Sequence, residues 1–170
     1  MEFFELIKTR ESIRSYTDKP VEEEKIKKIL ETARFAPSAA NKQPWEFLVI
    51  RSKELLDKVK KTYPREWLIN APCIIAVKGD KTKSWKRKDG YDAIETDLAI
   101  AMTYIILASA NLGLATCWIG AFDEQELRKA LNLKENEMVY AITPLGYPDE
   151  NYKPKSSKDR KELSEIAKFL

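Results

Sequence analysis

Hydrophobic and polar positions follow one another along the chain with two kinds of spacing. Apolar residues three and four positions apart predict helices, over 3–10, 21–36, 53–61, 91–112 and 123–131, and the segment 162–169 predicts a short helix or an arm. Alternating or short continuous apolar runs predict strands, at 46–51, 73–77, 116–119 and 138–145. Because strands and helices mix without strict strand–helix–strand alternation, we expect an α+β fold.

The helix predicted over 91–112 is apolar on nearly every side from Leu98 onward. Such a helix must be covered on every side, and in a chain of 170 residues we expect a second subunit to cover part of it. Gly113 is well placed to end this helix. The polar Thr103 interrupts the apolar run, which is shorter than the roughly 20 residues of a membrane span, so we expect a buried helix and no membrane segment.

Composition narrows the class of protein further. A chain of 170 residues predicts one domain, 1–170. The net charge of +3 is too small to indicate nucleic acid as the main partner. Cys73 and Cys117 lie far apart and form no CxxC motif, so neither a disulfide framework nor a zinc site is indicated. The acidic start of the chain lacks the basic region of a signal peptide, and we expect a reduced, cytoplasmic protein without a metal site.

The chain contains no histidine. Its composition therefore excludes nucleophiles activated by histidine, histidine general acid–base catalysis and HExxH zinc sites. Its five glycines form neither a GxGxxG motif nor a P-loop. If the protein is an enzyme, we expect a cofactor to supply the chemistry.

Two basic segments are candidates for binding an anion. Arg10-Glu11-Ser12-Ile13-Arg14 follows the first predicted helix, and a lysine-rich cluster spans 153–161. Guanidinium groups bind phosphate bidentately, and a serine hydroxyl can complete the set of donors. On the pattern alone, a structural interpretation is the more frequent one. Basic residues are favoured at helix C-termini, and basic clusters are usually solvated surface.

Two further segments, 37–45 and 117–121, stand out by their residues. The segment 37–45, Pro-Ser-Ala-Ala-Asn-Lys-Gln-Pro-Trp, contains amides at Asn41 and Gln43 that can bind the edge of a pyrimidine-like ring. Most such segments only connect a helix to a strand, and we expect Trp45 to be structural. The segment 117–121, Cys-Trp-Ile-Gly-Ala, has no side chain suited to acid–base chemistry and by itself predicts a strand end.

In their order along the chain, these motifs resemble the FMN-binding signatures of the nitroreductase family. Members of that family are dimeric, flavin-dependent oxidoreductases that use NAD(P)H. The resemblance continues through Pro144-Leu145-Gly146-Tyr147-Pro148 to the basic cluster, and so spans nearly the whole chain. It implies a central mixed or antiparallel sheet flanked by helices. It also implies an intertwined homodimer that binds FMN at the interface between subunits.

The resemblance assigns roles to individual residues. Arg10 and Ser12 would contact phosphate and ribityl oxygens, and Arg14 would face the N1/C2 carbonyl edge of the flavin. The loop 37–45 would reach the flavin bound mainly by the other subunit, and main-chain amides at 119 and 120 would lie near N5 and O4. The implied cofactor-binding residues are Arg10, Ser12, Arg14, Pro37, Ser38, Ala39, Asn41, Gln43, Trp118, Ile119, Gly120, Lys158 and Arg160. No catalytic side chain is implied, because FMN carries the hydride.

The function that the resemblance implies is ping-pong hydride transfer. NADH or NADPH would reduce the flavin at N5 and leave, and a nitroaromatic, a quinone or a similar electron-poor acceptor would then enter the same pocket. An alternative is a non-catalytic flavin-binding module for storage or sensing, because a fold does not guarantee chemistry. A third is a specialised relative, such as a dehalogenase or a flavin-fragmenting enzyme. The sequence leaves the acceptor and the choice of nicotinamide cofactor open.

Overall fold

The helices and strands lie close to their predicted positions in a computed structural model, which describes residues 2–155 and 157–170. In chain order they are α1 (Phe3–Thr9), α2 (Glu23–Arg34), β1 (Trp45–Ile50), α3 (Lys53–Lys61), β2 (Cys73–Asp80), α4 (Ile94–Asn111), β3 (Ala115–Thr116), α5 (Glu124–Leu131), β4 (Glu137–Gly146) and α6 (Leu163–Ile166). Short 3₁₀ turns lie at Ala39–Asn41 and Glu66–Leu68. Within the described residues, no helix is long and apolar enough to cross a membrane.

One antiparallel sheet with the strand order β1-β2-β4-β3 forms the centre of the fold. The α+β prediction is confirmed, and every strand pair is antiparallel. Strand β3 is shorter than predicted, and Ile119 continues the line of pairing through an isolated bridge to Ile142. The sheet therefore ends at the segment 117–120, the stretch that the sequence singled out.

Side chains of the central strand β2 alternate between two cores. Cys73, Ile75 and Val77 belong to the apolar cluster that includes residues of α2 and α4. Ile74 and Ala76 belong to the cluster that includes residues of α3 and α5. Successive side chains of a strand point to opposite faces, and here both faces are covered. This is why β2 has a continuous apolar sequence rather than an alternating one.

Gly113 ends helix α4 as predicted, and helix α5 begins with a side-chain cap. Gly113 has φ +72°, the left-handed conformation that commonly follows a helix C-terminus. At the start of α5, the side chain of Asp123 accepts a hydrogen bond from the main-chain amide of Glu126 at 3.0 Å. These caps set where α4 stops before β3 and where α5 begins after the segment 117–121.

Helix α4 is buried on the side that faces the sheet and half-exposed on the side that faces α1 and α2. On that second side lies a groove of about 1050 Å³ between the three helices. Its apolar lining comes from Phe3, Leu6, Tyr104, Leu107, Ala108 and Leu112. The prediction of a buried helix is confirmed for the sheet side. Cover by a second subunit remains a prediction.

Candidate functional site

The segment after α1 is extended and lies along the edge of the sheet. The Ile13 amide donates to the Thr116 carbonyl oxygen at 2.9 Å, and Tyr16 forms an isolated bridge with Pro148. In an extended segment, side chains two positions apart point to the same side. The spacing Arg-x-Ser-x-Arg therefore brings residues 10, 12 and 14 to one face, while Ile13 packs against the core.

The C-terminal tail faces this segment across a cavity of about 470 Å³. The cavity is lined by Arg10, Glu11, Ser12, Arg14, Lys155, Ser157, Lys158, Asp159 and Arg160. Five of these lining residues were predicted from the sequence: 10, 12, 14, 158 and 160. The lining carries five cationic side chains and two carboxylates, so its net charge favours an anion.

Lys158 joins the two basic segments directly. Its ammonium group donates hydrogen bonds to the main-chain oxygens of Lys8 and Arg10, at the C-terminal end of α1. Burial lowers the pKa of Lys158, and the nearby Arg10 cation lowers it further. Because the cations of Lys158 and Arg10 repel each other, a bound anion would relieve this repulsion.

Glu11 holds the tail in place, a role that the sequence did not indicate. Its carboxylate accepts a hydrogen bond from the Lys155 main-chain amide, at 3.3 Å to Oε1. Burial and a hydrogen bond with Glu11 raise the pKa of Tyr152 to about 12. Glu11 thus acts as an anchor for the tail within a cavity that otherwise attracts anions. Lys155 and Ser157, which also line the cavity, were likewise not singled out from the sequence.

Arg14 connects the basic cavity to the segment 117–120. Burial raises the pKa of the Cys117 thiol, and the Arg14 cation and its side-chain hydrogen bond act in the opposite direction. This pair places the guanidinium group next to the strand end where the resemblance expects the flavin ring. That Arg14 faces an edge of the flavin stays a prediction.

Main-chain amides of the segment 117–120 alternate in direction. The Cys117 amide donates to Thr143 Oγ1 at 3.2 Å, and the Ile119 amide donates to the Ile142 carbonyl oxygen at 2.9 Å. Among the described residues, the Gly120 amide has no hydrogen-bond acceptor. Of the two amides that the resemblance places near the flavin, the Gly120 amide is therefore available to a ligand. The Ile119 amide is already paired within the sheet.

Space at Gly120 also fits a ligand that lies against the main chain. A Cβ atom built there meets no atom of the chain within 4 Å. Packing within the chain therefore does not require glycine at this position. Trp118 stands beside it, edge-on to Tyr140 with ring centroids 5.8 Å apart and 36% exposed.

The loop 37–45 is held together by its own polar side chains. Ser38 Oγ accepts from the Gln43 amide at 3.0 Å, and Gln43 Nε2 donates to Asn41 Oδ1 at 3.1 Å. Trp45 begins β1, stacks on Phe47 and packs against the core, so the expectation that it is structural is confirmed.

Within the described residues, none of this loop lines the basic cavity. Pro37, Ser38, Ala39, Asn41 and Gln43 thus form one group, separate in a single chain from the residues around the cavity. The resemblance places this loop against the flavin of another subunit. That placement stays a prediction.

Comparison with protein families gives one match over most of the chain. The model of the nitroreductase family matches residues 7–63 and 57–147. The matched residues include the extended segment 10–14, the loop 37–45 and the segment 117–121, but not the basic tail.

Individual proteins agree with this match. A candidate NADH dehydrogenase/NAD(P)H nitroreductase of Archaeoglobus fulgidus is 39% identical over 152 residues, which cover 86% of each chain. A crystal structure of a nitroreductase family protein from Clostridium difficile 630 is 37% identical, with a TM-score of 0.89 over 99% of this chain and 98% of its own. An FMN-dependent nitroreductase from Clostridium difficile R20291 is 31% identical, with a TM-score of 0.81 over 98% of each chain.

Relatives with another named activity are more distant. The iodotyrosine deiodinase of Thermotoga neapolitana is 27% identical in an alignment that covers 94% of each chain.

Proposed function

This chain belongs to the nitroreductase family, and from that membership we propose that it is an FMN-dependent oxidoreductase that uses NADH or NADPH. Its electron acceptors would be nitroaromatics, quinones or similar electron-poor molecules. The oxidoreductase class follows from the family and from relatives named as NAD(P)H nitroreductases.

The observation that carries the proposal is the basic cavity. It joins Arg10 and Ser12 to Lys158 and Arg160, from opposite ends of the sequence, and its lining is dominated by cations. Guanidinium groups bind phosphate in two-point contacts, and a phosphate with its ribityl chain needs hydroxyl partners as well as charge. The donor set of this cavity therefore suits FMN better than it suits an uncharged flavin such as riboflavin.

Bound FMN would supply the redox chemistry, by accepting and donating hydride at N5. The chain's own residues would bind and orient the cofactor. Arg14 would place a cation beside the ring edge and favour negative charge there. Gly120 would present its unpaired amide to the ring without a Cβ in the way. Neither role needs a histidine, which fits the composition of the chain.

The second subunit of the proposed homodimer would cover the apolar groove between α1, α2 and α4. Tyr104, Leu107 and Leu112 of that groove are partly exposed in one chain, and burial of such apolar area is the usual driving force for association. In the same dimer the loop 37–45 of one chain would contact the flavin held by the other. A cytoplasmic location is part of the same proposal.

A spectrum of the purified protein, followed by anaerobic addition of NADH or NADPH, tests this function. We expect oxidised flavin bands that lose their absorbance with at least one nucleotide and return when a quinone or a nitroaromatic is added. Bands that persist with both nucleotides would favour the non-catalytic flavin-binding module. Protein that contains no flavin and retains none after incubation with FMN would overturn the proposal.

Reductive dehalogenation is a second candidate, because iodotyrosine deiodinases are among the relatives. The same reduced protein can be mixed with iodotyrosine in place of the quinone. Reoxidation of the flavin with release of iodide, at a rate above that with the quinone, would favour the deiodinase reaction.

A further inference from the structure

A buried carboxylate outside the basic cavity holds the loop 37–45. Asp97 lies in the first turn of α4 and is 1% exposed. Its Oδ1 accepts a hydrogen bond from the Ala39 main-chain amide at 2.9 Å. Its Oδ2 is also buried and has no hydrogen-bond partner among the described residues. Burial of a carboxylate costs free energy unless the group is hydrogen-bonded. An aspartate is therefore unusual at a position that serves only for packing.

The backbone that follows Ala39 is strained. Ala40, Asn41 and Gln43 have φ of 48°, 53° and 48°, in the left-handed region that glycine adopts most readily. Asn tolerates this region because its side chain can bond locally, but Ala40 has no such compensation. Non-glycine residues in this conformation persist only where the surroundings impose it, and they concentrate at ligand-binding sites.

The loop is fastened at both ends to rigid parts of the fold. Asp97 binds the main chain at Ala39, and the Asp80 amide donates to the Pro44 carbonyl oxygen at 2.9 Å. The four residues between these two anchors contain all three left-handed conformations.

The position of Asp97 is itself tightly determined. A Cβ atom built on Gly79 of β2 would lie 2.7 Å from Leu98 Cδ1 and 3.0 Å from Ile94 Cδ1. The first turn of α4 therefore lies directly against the sheet at Gly79, the one residue of β2 that lacks a side chain. Because Asp97 adjoins Leu98 on this turn, the packing of α4 against the sheet fixes the position of its carboxylate.

We propose that Asp97 is a positioning residue for the flavin site: its hydrogen bond to the Ala39 amide imposes the left-handed conformation that presents Ser38, Asn41 and Gln43 to the flavin ring. The inference rests on the proposed function in so far as the loop contacts a flavin. The hold of Asp97 on the loop is a property of the chain alone. The acceptor oxygen, rather than the negative charge, performs this role.

The test compares Asp97→Ala and Asp97→Leu, which remove the acceptor, with Asp97→Asn, which keeps it. Lys42 is exposed in the middle of the loop, so limited trypsin digestion of the flavin-free protein reports on loop conformation. We expect cleavage after Lys42 to be about tenfold faster in the first two variants, the effect of losing one hydrogen bond. Asp97→Asn should stay within about threefold of the wild type. Leu98→Ala, which weakens the adjacent core contact, is the control and should accelerate cleavage at many sites rather than after Lys42 alone.

Binding measurements separate this loop from the basic cavity. Asp97→Ala and Asp97→Leu should weaken riboflavin and FMN binding by the same factor, about tenfold, because both ligands contain the ring. Arg160→Ala should weaken only FMN, which alone carries the phosphate. Wild-type cleavage and wild-type riboflavin affinity in both acceptor-free variants would overturn the inference, as would an Asp97→Asn variant that behaves like them. If the wild type binds neither flavin, the proposed function fails, while cleavage after Lys42 still decides whether Asp97 holds the loop.

Discussion

Lys158 and Arg10 are joined by a hydrogen bond from the lysine ammonium group to the arginine main-chain oxygen, across 148 positions of sequence. The two basic segments are therefore one structural unit before any ligand binds. Their cations are held near one another by main-chain contacts at the end of α1 and by Glu11. A cavity assembled in this way needs little rearrangement to receive an anion, and this pre-organisation favours affinity.

Arg160→Ala should weaken FMN binding by about 10- to 100-fold, because it removes a charged donor that we propose binds the phosphate, worth roughly 1.5–3 kcal/mol. Isothermal titration of flavin-free protein measures the change. Lys161→Ala is the matched control: it removes a cation from the same tail at a position that does not line the cavity. Equal losses in the two variants would mean that the tail acts only through its overall charge.

Gly146→Ala should reduce stability, whereas Gly120→Ala should reduce flavin binding and leave stability unchanged. A Cβ on Gly146 would lie 2.9 Å from Pro72 Cδ and 3.2 Å from Tyr16 Cδ1, and such overpacking costs about 1–3 kcal/mol of unfolding free energy. A Cβ on Gly120 meets no atom of the chain, so stability should be preserved while flavin binding falls. Thermal unfolding and flavin titration of both variants provide the check. Undiminished flavin affinity in Gly120→Ala would contradict the assigned ring position.

Asp80→Asn should reduce stability at neutral pH and have much less effect near pH 2. Hydrogen bonds from the Thr82 side chain and main chain, and from Asn136, lower the pKa of Asp80 to about 2. Because the folded-state pKa lies below the unfolded value, the stabilisation is present above about pH 4 and is lost as the pH falls towards 2. Urea unfolding of the wild type and of Asp80→Asn at pH 7 and pH 2.5 measures the difference in unfolding free energy.

The control for this series is Asp18→Asn, which removes an exposed carboxylate. Its urea midpoint should match that of the wild type at both pH values. An Asp80→Asn effect of equal size at pH 7 and pH 2.5 would show that the substitution acts through lost packing rather than through the ionised carboxylate.

Leu107→Glu should convert the proposed dimer to a monomer. The substitution puts a charge on the wall of the apolar groove, where a second subunit would have to desolvate it. Gln125→Glu on α5, outside the groove, adds the same charge as a control. Light scattering after size exclusion gives the mass of each. A wild-type protein that is monomeric and still binds FMN would contradict the dimer.

Most of the secondary structure could be predicted because each element carries its own signal. The spacing of Ile26, Ile29 and Ala33 corresponds to the buried face of α2, and Gly113 marks the end of α4. Strand β3 was predicted too long because the segment 117–119 is apolar, whereas only the Ile119 bridge continues the pairing there. The antiparallel order of the sheet depends on contacts between distant residues and has no local signal.

The basic cavity could be predicted only in part, and the reason is again the range of the contacts. Arg10, Ser12 and Arg14 have a spacing that an extended segment turns to one side. Glu11 faces the tail because Lys155 happens to lie opposite it, and nothing near position 11 indicates this. Asp97 was not singled out for the same reason: its partner, Ala39, lies 58 positions earlier.

Nearly the whole polypeptide separates the two halves of the basic cavity, and this has a consequence during synthesis. The extended segment is synthesised early, whereas the sheet edge that supports it is completed by β4, which ends at Gly146, shortly before the tail with Lys158 and Arg160. Both cores contain residues of β4, so the two halves of the basic cavity can meet only after synthesis has passed Arg160. Capture of FMN would then be a late event in folding, and the bound flavin would secure the segment that carries Lys158 and Arg160.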